Sequence, residues 1–160
     1  GSEPVASATV LVLGLGNRLL GDDAAGPLVV ERLLDRPLAA GVSVFDGGTV
    51  GLALLPEIEN AAAFIAVDAA RFGSAPGTVR VFEGAAMDAL LRGRQRSAHE
   101  VALADLMGAA ALTGHLPARR ALVAVEPQSS ALSLQPTAAV AGAIGPMCEA
   151  VEALVREWTR

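Results

Sequence analysis

The sequence predicts an α/β three-layer sandwich, a twisted, mostly parallel five-stranded sheet flanked by helices. Three observations predict it. Short apolar or β-branched runs, bounded by turn residues, alternate with stretches of helical periodicity. The chain has 160 residues, 52% of them hydrophobic, so a substantial core is available. Aromatic residues make up only 3%, so that core must be aliphatic.

The elements follow in order. Thr9 to Leu13 reads as a buried first strand, and Asp22 to Asp35 as a helix with apolar residues at 28, 29, 30, 33 and 34. Val42 to Phe45 is the second strand. Val50 to Glu57 suits a short helix closed around Pro56. Ala63 to Val67 is the third strand. Thr78 to Phe82, after the turn Ala75-Pro76-Gly77, suits an antiparallel edge. Glu100 to Leu112 is a helix whose Val101, Leu103, Ala104, Met107 and Ala111 share a broad apolar face. Ala121 to Val125 is the last strand. Pro136 to Trp158 is a long C-terminal helix, with a bend expected near Gly145-Pro146. Strands alternating with helices imply a largely parallel sheet. No repeat or linker divides the chain, so 1–160 reads as one domain, with Gly1-Ser2 as a cloning remnant.

Net charge is -5 and the pI is about 5.0. All twelve basic residues are arginine. No basic stripe or aromatic-interleaved patch is present, which argues against nucleic acid. Arg92, Arg94 and Arg96 form the densest basic cluster, read either as a solvated turn or as a docking patch for an acidic partner. No apolar run reaches the roughly 18 to 20 residues that span a bilayer, and no signal-peptide pattern appears. The lone Cys148, expected in the core, excludes an internal disulfide. A cytoplasmic monomer without membrane insertion is the expectation.

The most informative stretch is the glycine-rich turn from Leu13 to Gly26. Such a turn between strand and helix suggests a phosphate cradle, but neither phosphate motif fits. The dinucleotide fingerprint needs glycine at position 19, where this chain has Leu19. In the P-loop register, Asp22 and Asp23 replace the lysine and the hydroxyl. Carboxylates repel phosphate and attract metal ions or protons.

Ligand sites in such sheets form beyond the carboxyl ends of strands. Asp22, Asp23, Asp46, Asp68 and Glu126 sit at those ends. Asp22 reads as a helix N-cap. A cap explains one acid better than two, so Asp23 is the better ligand candidate, although the helix dipole alone would also favour an anion there. Asp46 precedes Gly47-Gly48-Thr49-Val50-Gly51 and reads either as a turn residue or as a site residue. Those glycines either form a tight turn or let a substrate approach closely. Asp68 ends a buried strand and is either its cap or a ligand, since a buried acid needs a partner. His99 opens a helix, and His115 reads as a helix end or surface residue. Asp23, Asp68 and His99 together offer two oxygens and one nitrogen. That set suits a borderline divalent ion such as zinc or nickel, with positions left open. H-E-x-x-H and G-x-S-x-G are both absent, which removes zincin and serine-hydrolase chemistry.

The motifs come in a specific order: Gly14-x-Gly16-Asn17-x-Leu19-x-x-Asp22-Asp23-x-x-Gly26, Asp46-Gly47-Gly48-Thr49-x-Gly51, Val67-Asp68-Ala69, Ser97-x-His99 and Glu126-Pro127. Over about Val10 to Trp158 the chain resembles the [NiFe]-hydrogenase maturation endopeptidases. The resemblance implies an aspartic-type endopeptidase that cuts a C-terminal extension from the hydrogenase large-subunit precursor after nickel insertion. It implies Asp23, Asp68 and His99 as metal-engaging residues and Asp46 as a further catalytic acid. Gly47, Gly48, Thr49 and Gly51 would lie beside the substrate tail. Nickel would be carried by the precursor, with no tightly bound metal of the enzyme's own. A non-catalytic nickel-binding chaperone using the same ligands is the alternative. One departure is that the family more often has glutamate at the Asp23 position, so this shorter side chain needs compensating backbone placement or water.

Overall fold

The computed structural model describes residues 9–48, 52–94 and 96–160. Its sheet is five-stranded, with strands β1 (Val10–Leu15), β2 (Val42–Gly48), β3 (Ala63–Ala69), β4 (Val79–Glu83) and β5 (Arg119–Val125) in the order β2-β1-β3-β5-β4. The β1–β2, β1–β3 and β3–β5 pairs are parallel, and β4 runs antiparallel to β5 at the edge, as expected. The helices are α1 (Ala25–Leu34), α2 (Leu55–Asn60), α3 (Ala85–Leu91), α4 (Ala98–Leu112), α5 (Ala138–Ala141) and α6 (Ile144–Trp158).

Strand alternation divides the core between two faces. Val10, Val12, Ile65, Val67, Val123 and Val125 pack against α1 and α6. Leu11, Leu13, Phe64 and Leu122 face α2, α3 and α4. The β-branched residues therefore line one side of the sheet and the longer side chains the other. Central strands β1 and β3 are buried throughout, which explains their unbroken apolar runs.

Four differences from the sequence reading have physical causes. The helix expected from Asp22 begins as a 3-10 turn, Gly21–Ala24, before α1. Helix α3 was not expected from sequence; only Met87 and Leu91 in its seven residues are buried, too few to display a periodicity. The C-terminal helix breaks at Gly142 and Ala143, not at Gly145-Pro146. Pro146 lies in the first turn of α6, where a missing N–H costs nothing. Finally, the stretch Ala138–Trp158 is long and apolar enough, by length and composition, to cross a membrane. Its apolar side is already in use: Val140, Ile144, Met147, Cys148, Val151 and Val155 lie buried in the core.

The strand order creates a switch point. From β1 the chain crosses to β2 on one side, whereas β3 lies on the other. Crevices open beyond the carboxyl ends of strands at such points. Here the close strand–helix approach is made by Gly14 and Gly26. A Cβ on Gly26 would lie 2.1 Å from the Leu15 carbonyl oxygen, and one on Gly14 would lie 2.5 Å from Val30. Gly14 and Gly26 of the first motif thus serve packing of α1 on β1.

Candidate active site

A cleft of about 1000 Å³ opens at the carboxyl ends of β1 and β3. Asp23 and His99 line it, and the buried Asp68 lies behind them against His99. Asp23 comes from the 3-10 turn after β1, Asp68 from the end of β3, and His99 from the first turn of α4. One ligand-capable atom from each lies within 4.8 Å of the others.

Local structure fixes each side chain. Gly16 has φ +127°, and a Cβ there would fall 1.9 Å from the Asp23 carbonyl oxygen, so only glycine lets the loop fold over the turn. The loop then presents the Asn17 N–H, which donates to Asp23 Oδ2 at 2.9 Å. Asp23 Oδ1 is left facing His99 Nε2 at 3.6 Å. Asp68 is fully buried, with Oδ1 3.0 Å from His99 Nε2. Its Oδ2 has no hydrogen-bond partner among the described residues. An orphaned buried oxygen costs about 1–3 kcal/mol.

Sequence reasoning undervalued Glu100. It completes a capping box: the Ser97 N–H donates to Glu100 Oε1 at 3.0 Å, and the Glu100 N–H donates to Ser97 Oγ at 3.3 Å. The S-x-x-E spacing was a readable signal for it. The box sets the start of α4 and hence the placement of His99. Glu100 is itself buried.

The electrostatics follow from burial. Desolvation pushes Asp68 well above the usual carboxylate range; the His99 hydrogen bond opposes it and the Glu100 charge adds to it. Desolvation also raises Asp23, against the attraction of His99 and the Asn17 hydrogen bond. For His99 desolvation acts downward, but the hydrogen bond and charge of Asp68, with Asp23 and Glu100, prevail and raise it.

The other candidates have separate places. Asp46 sits on the cleft rim, where its Oδ1 accepts the Gly48 N–H at 3.0 Å and its Oδ2 lies 3.8 Å from Arg18 Nε. Gly47 backs onto β1, since a Cβ would meet the Gly14 oxygen at 2.9 Å, while Gly48 lines the cleft. Thr49 and Gly51 lie outside the described residues. Arg96 reaches the cleft and donates to the Leu91 carbonyl at 2.6 Å, and Arg92 and Arg94 are exposed. His115 ends α4 in a Schellman turn, with its N–H on the Ala110 carbonyl.

Two further acids hold loops, and for Asp22 this replaces the expected N-cap. Asp22 caps no helix. Its buried carboxylate accepts from the N–H groups of Gln128, Ser129 and Thr137 and from the Thr137 hydroxyl, at 2.7 to 3.0 Å. Burial opposes ionisation there, but these bonds prevail and lower its pKa. Glu126 is buried too, and its Oε1 accepts from the Phe72 and Ser74 N–H groups. Both acids brace loops beside the cleft.

The family model of the hydrogenase maturation protease matches residues 27–154. The chain belongs to the hydrogenase maturation protease family. It is 40% identical over 154 residues to the hydrogenase expression/formation protein HupD of Rhodobacter capsulatus, covering 93% of this chain and 72% of HupD. It is 37% identical to the hydrogenase 2 maturation protease of Escherichia coli K12, covering 92% and 91% of the two chains. The fold matches the hydrogenase maturating endopeptidase HybD from E. coli, with TM-score 0.88, 38% identity and 93% of each chain covered. It also matches the [NiFe] hydrogenase maturation protease HybD from Thermococcus kodakarensis, with TM-score 0.77, 26% identity and coverage of 92% and 99%. A hydrogenase maturation protease is a hydrolase, and so is this chain.

Proposed function

We propose that the chain removes the C-terminal extension of a [NiFe]-hydrogenase large-subunit precursor once nickel is in place. Asp23, Asp68 and His99 recognise the nickel that the precursor already carries, so the metal arrives as part of the substrate and the enzyme needs no resident ion. The observation that carries this reading is the buried, unpartnered Oδ2 of Asp68 beside an aimed oxygen and an imidazole. A carboxylate–carboxylate–imidazole set suits nickel and leaves coordination positions for the precursor's own ligands.

Docking on the metal fixes the orientation of the scissile bond, an effect of proximity. Nickel supplies Lewis acidity at the carbonyl. Asn17 holds Asp23 in position, and Asp68 orients His99. Asp46, on the rim and outside the ligand set, serves as general base toward the attacking water. In this reading the enzyme acts as a monomer in the cytoplasm.

Intact mass measurement tests it. Nickel-loaded and nickel-free precursors are incubated with the enzyme, and loss of a discrete C-terminal peptide is expected from the loaded sample alone. Equal cleavage of both overturns nickel gating. Stable nickel binding without cleavage of any loaded precursor overturns the endopeptidase reading in favour of a nickel chaperone.

A further inference from the structure

The buried Glu126 lies outside the nickel-recognising set, yet it has a clear structural effect. Its Oε1 accepts the Phe72 N–H at 2.9 Å and the Ser74 N–H at 3.0 Å. The Ala70 N–H donates to the Val125 carbonyl at 3.0 Å. The backbone is therefore pinned on both sides of Arg71, which lines the cleft.

Arg71 differs from the other arginines of the cleft. Arg18 pairs with Glu31 at 3.1 Å, and Arg96 donates to the Leu91 carbonyl. Arg71 makes no ion pair with any described residue. Ser129, held by Asp22, lines the same cleft. Its Oγ accepts the Ala131 N–H at 3.0 Å, which leaves its hydroxyl hydrogen free to donate. A guanidinium with a hydroxyl donor is chemistry for a carboxylate. The cleft floor is acidic, so a substrate carboxylate entering unguided would meet like charge. Every C-terminal tail carries at least one carboxylate, its own terminus.

We propose that Arg71 is a specificity-determining residue that takes a carboxylate of the substrate tail on the cleft wall, either its terminus or an acidic side chain. This rests on the proposed cleavage of a C-terminal extension. Glu126 fixes the backbone from which the exposed Arg71 side chain projects.

The test uses the full-length enzyme and nickel-loaded precursor with three tails: native, C-terminally amidated, and with acidic side chains changed to amides. Arg71→Gln should raise KM for the native tail about tenfold and change kcat by less than about twofold. Arg71→Lys should recover part of the loss. One of the two modified tails should raise KM for the wild-type enzyme equally and erase its difference from Arg71→Gln; that tail identifies the carboxylate. Unaltered thermal unfolding of the variants separates recognition from folding. An Arg71→Gln enzyme with wild-type KM, or one whose deficit persists on both modified tails, overturns the inference alone. A wild-type enzyme that cleaves no loaded precursor overturns the proposed function and this inference with it.

Discussion

Asp22 and Asp23 are neighbours of the same residue type with opposite fates. Asp22 is saturated: three backbone N–H groups and a hydroxyl converge on it, and its carboxyl is held below its ordinary range. Asp23 keeps one backbone bond, turns an oxygen toward His99, and is pushed upward. The pattern repeats with Glu126, whose Oε1 is bonded by two N–H groups, and Asp68, whose Oδ2 is orphaned. Saturated buried acids brace the loops beside the cleft here, and the less saturated pair, Asp23 and Asp68, converges on His99.

The comparison breaks most sharply through activity. Asp68→Asn and His99→Ala should each reduce precursor cleavage by about a thousandfold or more, while urea unfolding midpoints stay near wild type. Full cleavage by both variants would remove the site assignment. Asp22→Ala should do the reverse in kind, costing about 3 kcal/mol of stability as four donors lose a charged acceptor. A urea midpoint equal to wild type would show that the loop needs no such brace. Gly16→Ala should cost about 1–3 kcal/mol, because φ +127° and the Asp23 carbonyl both resist a Cβ. Cleavage should fall with it, as Asp23 is displaced; wild-type values for both would show that the loop yields freely.

The smallest effect is in the pH dependence of the metal-free protein. His99 titrates above its ordinary 6.5 when folded, so its stabilising contribution is complete below about pH 6.5 and fades as pH rises through the folded value. Asp68, raised well above 3.8, likewise loses stability as pH climbs from 3.8 through its folded value. Asp22 behaves oppositely: its contribution is present above 3.8 and lost as pH falls through the lowered folded value. Thermal midpoints should therefore decline above about pH 6.5 in wild type and flatten in His99→Ala. A decline that is identical in that variant would place its origin elsewhere.

The sequence carried the sheet well because β1, β3 and β5 each contain a continuous apolar run, a pattern local to each segment. The candidate site was legible for a related reason. Asp23, Asp68 and His99 each sit beside a strand end or helix start that could be located, and the motif order tied them together. What stayed hidden depends on distant partners. Asp22 bonds groups more than a hundred residues away, and no local rule separates such a latch from an N-cap. Glu126 reaches back over 50 residues to Phe72 and Ser74. Helix α3 was invisible because its short, alanine-rich run has no side-chain cap.

Cys148 has a consequence outside the cleft. The chain's lone thiol is buried on α6, with Sγ 3.9 Å from the Val29 carbonyl of α1 and its pKa raised by burial. No alkylating reagent reaches it while the two helices remain docked. Its rate of modification is therefore a clock for how often that layer peels from the sheet, and it runs in the unmodified protein without an introduced probe.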